Sequence, residues 1–292
     1  MRPSVQGALG AAVVLVVVLL TGSAAIADTT PQTLPFTQNW SNTGLITADD
    51  NWTGVPGVVG YLGQDITTAN GTDPQTLLTE SVVADDVDLI ANQTNIVINQ
   101  GGVAEFELVD PVVALQASGT ADAPYLLFTV NTTGHANITV AYNLRDIDGT
   151  VDNAVQPVAL QYRVGGTGNF TNVPAGFVAD ATTGPSLATL VTAVNATLPA
   201  AADNQPLVQV RVITTNAVGS DEWVGVDDVS ITGSTVDETP SVPSSTPAAE
   251  ALPATGRPLG ALIASGVALV GAGAALLFMR RRRVASDGTA EF

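Results

Sequence analysis

The 292-residue chain has no cysteine, no lysine and one histidine, and aromatic residues make up only 5% of it. Without cysteine there are no disulfides, thiolate zinc sites or thiol nucleophiles. A single His135 cannot build a multi-histidine metal centre, and any Ser-His-Asp triad would have to use it. Without lysine there is no Lys–Asn isopeptide staple. The nine basic residues are all arginine, against 27 acidic ones, for a net charge of −18. Of these arginines only Arg145, Arg163 and Arg211 fall between residues 28 and 255, a stretch that holds 25 acids. Such a body repels phosphate and anionic lipid and lacks the basic face that nucleic-acid binding needs.

What is present is organised at both ends. Arg2 opens a leader with an apolar stretch over 8–20 and the small-x-small triplet Ala25-Ile26-Ala27. This is the layout of a cleavable export signal, with cleavage expected after Ala27. At the other end, Leu252-Pro253-Ala254-Thr255-Gly256 precedes a charge-free run over 259–279 and the cluster Arg280-Arg281-Arg282-Arg283. As a helix that run spans about 31 Å, the thickness of a bilayer core. The four arginines place its far end in the cytoplasm and the body outside, in agreement with the leader.

The C-terminal order of pentapeptide, apolar span and basic stop resembles the LPxTG sorting signal of Gram-positive surface proteins, the substrates of sortase. The resemblance implies that a sortase cysteine attacks the Thr255 carbonyl and cleaves the Thr255–Gly256 bond. A peptidoglycan amine then resolves the thioester, so Thr255 ends covalently joined to the wall. Pro253 fixes φ, Leu252 offers an apolar anchor, and Gly256 clears space beside the scissile bond. The expected organisation is a signal peptide (1–27), a body (28–234), a Pro/Ser/Thr linker (235–251), the sorting motif (252–256), a membrane helix (259–279) and a basic tail (280–292).

The body reads as all-β, an antiparallel two-sheet sandwich of jelly-roll type. Ile138, Val140, Tyr142 and Leu144 alternate with polar neighbours, as do Val158–Val164 and Val208–Val212. Further strands are expected over 55–61, 81–90, 95–99, 102–109, 125–131 and 223–232, and the one helix candidate is 186–198. Two tandem immunoglobulin-like modules are the alternative. In 223–231 the apolar parity changes between Val224/Val226 and Val229/Ile231, which predicts a bulge at Asp227-Asp228.

That closing segment, with Leu34-Pro35-Phe36 and Asp49-Asp50-Asn51-Trp52, resembles secreted bacterial jelly-roll modules. In several of these an Asp pair helps hold a structural calcium, so the resemblance implies a candidate site from Asp49, Asp50, Asp227 and Asp228, provided first and last strands pair. Asp146, Asp148 and Asp152 form a second oxygen-rich loop, which also reads as a polar hairpin turn. Trp40, Trp52 and Trp223 are candidates for stacking on sugars or for the core. No catalytic motif surrounds Glu80, Glu105, Glu107 or Glu222, so the expectation is a non-enzymatic surface protein. Its ligand would be a glycan or a protein surface; a structural coat is the alternative, and a hydrolase with paired carboxylates a more remote one.

Overall fold

The computed structural model describes residues 26–84, 86–98, 100–148, 154–183 and 188–236. The leader to residue 25, the linker from 237, the sorting motif, the apolar run and the arginine cluster lie outside the described residues, as does Asp152. Among the described residues there is no α-helix, only four short 3₁₀ turns, and no helix long and apolar enough to cross a membrane.

Among the described residues fifteen strands form. The first eight are β1 (Ile26–Ala27), β2 (Gln32–Thr33), β3 (Phe36–Gln38), β4 (Asn51–Trp52), β5 (Val58–Tyr61), β6 (Ile90–Gln93), β7 (Gly102–Phe106) and β8 (Val112–Gln116). The rest are β9 (Tyr125–Asn131), β10 (His135–Asp146), β11 (Ala159–Val164), β12 (Thr171–Asn172), β13 (Val191–Thr197), β14 (Val208–Ile213) and β15 (Val224–Thr235). One sheet runs β13-β10-β15-β8-β7-β6, with β3 also on β15. The facing sheet runs β12-β11-β14-β9-β2, with β5 also on β9. Pairing is antiparallel except for β1–β4, β2–β9 and β6–β7. Successive long strands cross from sheet to sheet, β9 to β10, β10 to β11 and β14 to β15, the alternation expected of a jelly roll. Strands from both halves of the chain share each sheet, so the tandem-module alternative does not hold.

Period-two patterning explains the core. Leu126, Phe128 and Val130 of β9 face Val113, Leu115, Ile138, Val140 and Leu144 across the sheets, with Val208, Val210 and Val212 beside them. The expected bulge is present: Ala141 pairs with Ser230 and Asn143 with Asp227, so β15 carries an extra residue there. Asp228 takes φ 50°, and Val229 and Ile231 return to the core side. Had β15 run without it, its second half would have turned its valine and isoleucine to solvent.

Three expectations need correction. The helix candidate is the edge strand β13, because Val191, Thr192, Val194 and Thr197 favour extended backbone and Val194 and Ala196 alternate inward. Residues 95–98 form no strand. The run 81–90 is mostly loop, with an isolated bridge at Val87 before β6. The sequence reading also missed β8, a continuous VVALQ run. Its Val113 and Leu115 enter the inter-sheet core, while Val112 and Ala114 lie in a second cluster with Phe106, Ile147 and Trp223. A strand covered on both faces shows no alternation.

Candidate functional site

The aspartates of the calcium expectation are all engaged with the protein. Asp49 accepts a hydrogen bond from Ala91 N (2.9 Å) and Asp50 from Leu89 N (3.2 Å), which fixes the segment leading into β6. Asp227 is buried and meets Arg145 Nη1 at 2.8 Å, and Asp228 accepts from Asn143 Nδ2 at 2.9 Å. The last strand does pair with an early one, since β15 carries β3, but Asp49 and Asp50 reach the β6 backbone instead. Among the described residues no three acidic or histidine side chains gather in a way that could hold a metal. Asp146 ends β10 fully buried, and Asp148 is buried beside it.

The three tryptophans are core, not platforms. Trp40 is buried and donates through Nε1 to Val226 O (2.7 Å), and Trp52 to Asp88 O (3.0 Å). Trp223 packs edge-on against Phe106, with centroids 5.0 Å apart. The large exposed hydrophobic side chains among the described residues are all valines, so no exposed aromatic row exists there.

The three arginines of the body are all used internally. Arg163 meets Glu80 at 2.6 Å and also donates to Gln209 and Gly168 O. Arg211 is fully buried and donates to Thr79 O (2.7 Å), Leu77 O (2.5 Å) and Gln161. Both guanidinium groups stack on Phe170, at 4.3 and 3.9 Å from the ring centroid. Burial pulls the Arg211 pKa down to about 10, partly offset by the nearby Tyr125 and Glu80. These contacts strap the loop 62–82 over the outer face of the β11-β14-β9 sheet, closing a face that would otherwise be open. Neither the patterning nor the spacing of Arg163 and Arg211 announced this, although their placement on inward-alternating strands was a signal: an arginine between two valines on a central strand needs a cover.

Several further acids lie inside the fold. Glu105 accepts from Asn92 N (3.0 Å) and Glu222 from Ala154 N (2.5 Å). Asp88 accepts from Val103 N at 2.6 Å; burial, with Asp50, Asp86 and Asp49 nearby, pushes its pKa up to about 7. Burial likewise raises Asp86 to about 6.

The two ends of the sandwich differ. At one pole, β15 finishes at Thr235 opposite His135, and Val236 N–H donates to Gly134 O (2.9 Å). Thr33 of β2 pairs with Asn131 at the same hairpin, so an early strand and the last strand both reach this pole. At the other pole, where β15 begins, a cleft of about 450 Å³ opens between Gln116–Ser118, Gly101 and the Gly219–Asp221 segment. Two smaller hollows exist: a polar notch of about 290 Å³ beside Asp228 and a more apolar one of about 370 Å³ at Val155 and Val218.

No protein-family profile matches the chain, and no curated protein matches it. Among solved structures, a carbohydrate-binding module described as specific for non-crystalline cellulose, CBM28, is 14% identical, with 49% of this chain and 85% of that chain covered at a TM-score of 0.34. The module TmCBM61 in complex with β-1,4-galactotriose is 15% identical over 43% of this chain and 72% of its own, at 0.30. The K3 adhesin domain of Lys-gingipain from Porphyromonas gingivalis is 15% identical over 42% and 71%, at 0.31. At these scores the likenesses assign no ligand, and function rests on the residues of this chain.

Proposed function

We propose that the chain is an extracellular, wall-anchored binding module: exported by its leader, processed by sortase at Thr255–Gly256 and joined through Thr255 to peptidoglycan, with the β-sandwich displayed outward. The observation that carries this reading is the ordered series 252–256, 259–279 and Arg280–Arg283, behind a body whose last strand ends at Thr235. The geometry of the body supports it. The chain leaves the sandwich at the Gly134 pole, directly before the Pro/Ser/Thr linker, and the cleft lies at the opposite pole of the sandwich. β15 is 12 residues long, so the two poles stand roughly 35–40 Å apart. A purely structural coat calls for a sandwich without concavities, and the cleft favours a binding role over it. The absence of a calcium requirement and of catalysis belongs to the same proposal.

Mass spectrometry of muramidase-digested walls tests the anchoring. The expected product is a body ending at Thr255 and carrying a peptidoglycan peptide. A mature protein that still holds residues 256–292 overturns it.

A further inference from the structure

We infer that the cleft at the pole remote from Val236 is a binding site for an uncharged, hydroxyl-rich saccharide, recognised chiefly by hydrogen bonds and without aromatic stacking. This inference rests on the display reading only for its orientation; the site stands on its own geometry. Gln116 ends β8, and its Nε2 donates to Asp221 O at 2.8 Å, which holds the amide in place and leaves Oε1 as a fixed acceptor. Asp221 is held in turn: Oδ1 accepts from Ala217 N (2.8 Å) and Gln156 Nε2 (3.0 Å), which leaves Oδ2 for a ligand. Ser118 Oγ accepts from Ala121 N (3.1 Å) and Thr120 N (3.3 Å) and lies 3.5 Å from Thr120 Oγ1, so its hydroxyl is held at the rim beside that of Thr120. Three polar side chains are thus locked by bonds behind them, the arrangement a preorganised site requires. Thr120 and Ser220 add hydroxyls at the exposed rim.

The chemistry of the lining selects the ligand class. Fixed acceptors call for a ligand that brings several donors, and the neighbouring hydroxyls can both give and receive. Among the described residues no arginine, histidine or aromatic side chain lines the cleft. An anion meets Asp221 with no compensating cation, inside a body whose three arginines are all engaged elsewhere. Ile98 and Ala117 supply a small apolar floor for the carbon face of a sugar ring, and the volume lies within the range of small-molecule sites. Burial raises the pKa of the Asp221 carboxyl, against the hydrogen bonds from Ala217 and Gln156.

The test is saturation-transfer NMR and calorimetry on the full chain in detergent micelles. The probes are the neutral trisaccharides cellotriose, maltotriose and galactotriose, with trigalacturonate as an anion and a lysine tripeptide as a cation. At least one neutral trisaccharide is expected to bind at millimolar concentration, and trigalacturonate is not. Asp221→Asn and Gln116→Ala are each expected to weaken binding about tenfold, the cost of one well-placed hydrogen bond. Thr120→Trp fills the rim from an exposed position and leaves the Gln116 and Asp221 bonds untouched, and it is expected to abolish binding while leaving the melting curve unchanged. The inference is overturned if no neutral trisaccharide binds, if the lysine tripeptide binds in their place, or if binding survives Thr120→Trp. None of these outcomes alters the wall-digest result, so a failure here is separable from a failure of anchoring.

Discussion

Arg145 Nη1 lies 2.8 Å from the buried carboxylate of Asp227 and 3.2 Å from Asp110, so one guanidinium joins β10, the β15 bulge and the β7–β8 turn. Of the aspartate pair that sequence suggests as cation ligands, Asp227 is held by a protein cation and Asp228 by the Asn143 amide. Arg145→Ala would leave the Asp227 charge buried and unpaired, at a cost of about 3 kcal/mol in stability, whereas Asp227→Asn should cost about 1 kcal/mol. Urea denaturation of both variants measures this. Equal losses would mean that leaving Asp227 charged without Arg145 carries no extra penalty. Chelation with EDTA is expected to leave the melting temperature of the native protein unmoved.

Arg211 ties the 62–82 loop to the sheet through Leu77 O and Thr79 O. Arg211→Ala strands both carbonyls and Gln161 Oε1 and opens space beside Phe170, so a loss of about 3–5 kcal/mol is expected. Limited proteolysis should then cut within 62–82 before any other site. Cleavage that begins elsewhere would show that the loop is held by other contacts.

Asp88 and Asp86 carry folded-state pKa values of about 7 and about 6, above the ordinary 3.8, chiefly because burial disfavours their charge. The native state therefore holds these protons more tightly than the unfolded chain. The stability they permit is complete below about pH 4 and is lost as pH rises through 6 and 7. The urea midpoint should be higher at pH 5 than at pH 8. Asp88→Asn should flatten this dependence and add about 1–2 kcal/mol at pH 8. Gly102→Ala should act in the opposite direction: its Cβ would sit 2.1 Å from Asp88 Oδ2, at a backbone φ of +138°. A variant Asp88→Asn with the wild-type pH profile would remove Asp88 from the account.

The parts of the fold that sequence made legible are those with one buried face. Alternation in 138–144 and 208–212 placed β10 and β14, and the parity change at Asp227–Asp228 located the bulge. Where both faces are covered, as at β8, alternation vanishes and the strand was missed. Strands β2, β3, β4 and β12 are two or three residues long, too short for any period to register. The cleft was not legible at all. Gln116, Ser118 and Asp221 are brought together by strand order across the sheet, and nothing in their local sequence distinguishes them from other polar turn residues. The tryptophans left platform and core both open, because only packing decides which side of the sheet an indole occupies, and all three prove to be core.

With Arg145, Arg163 and Arg211 all turned to internal partners, the described exterior offers a neighbouring copy carboxylates and hardly any counter-charge. Two such molecules approaching within the Debye length, about 8 Å in physiological salt, push each other apart. A crowded layer of them would space itself, loosening in dilute buffer and tightening as salt is added.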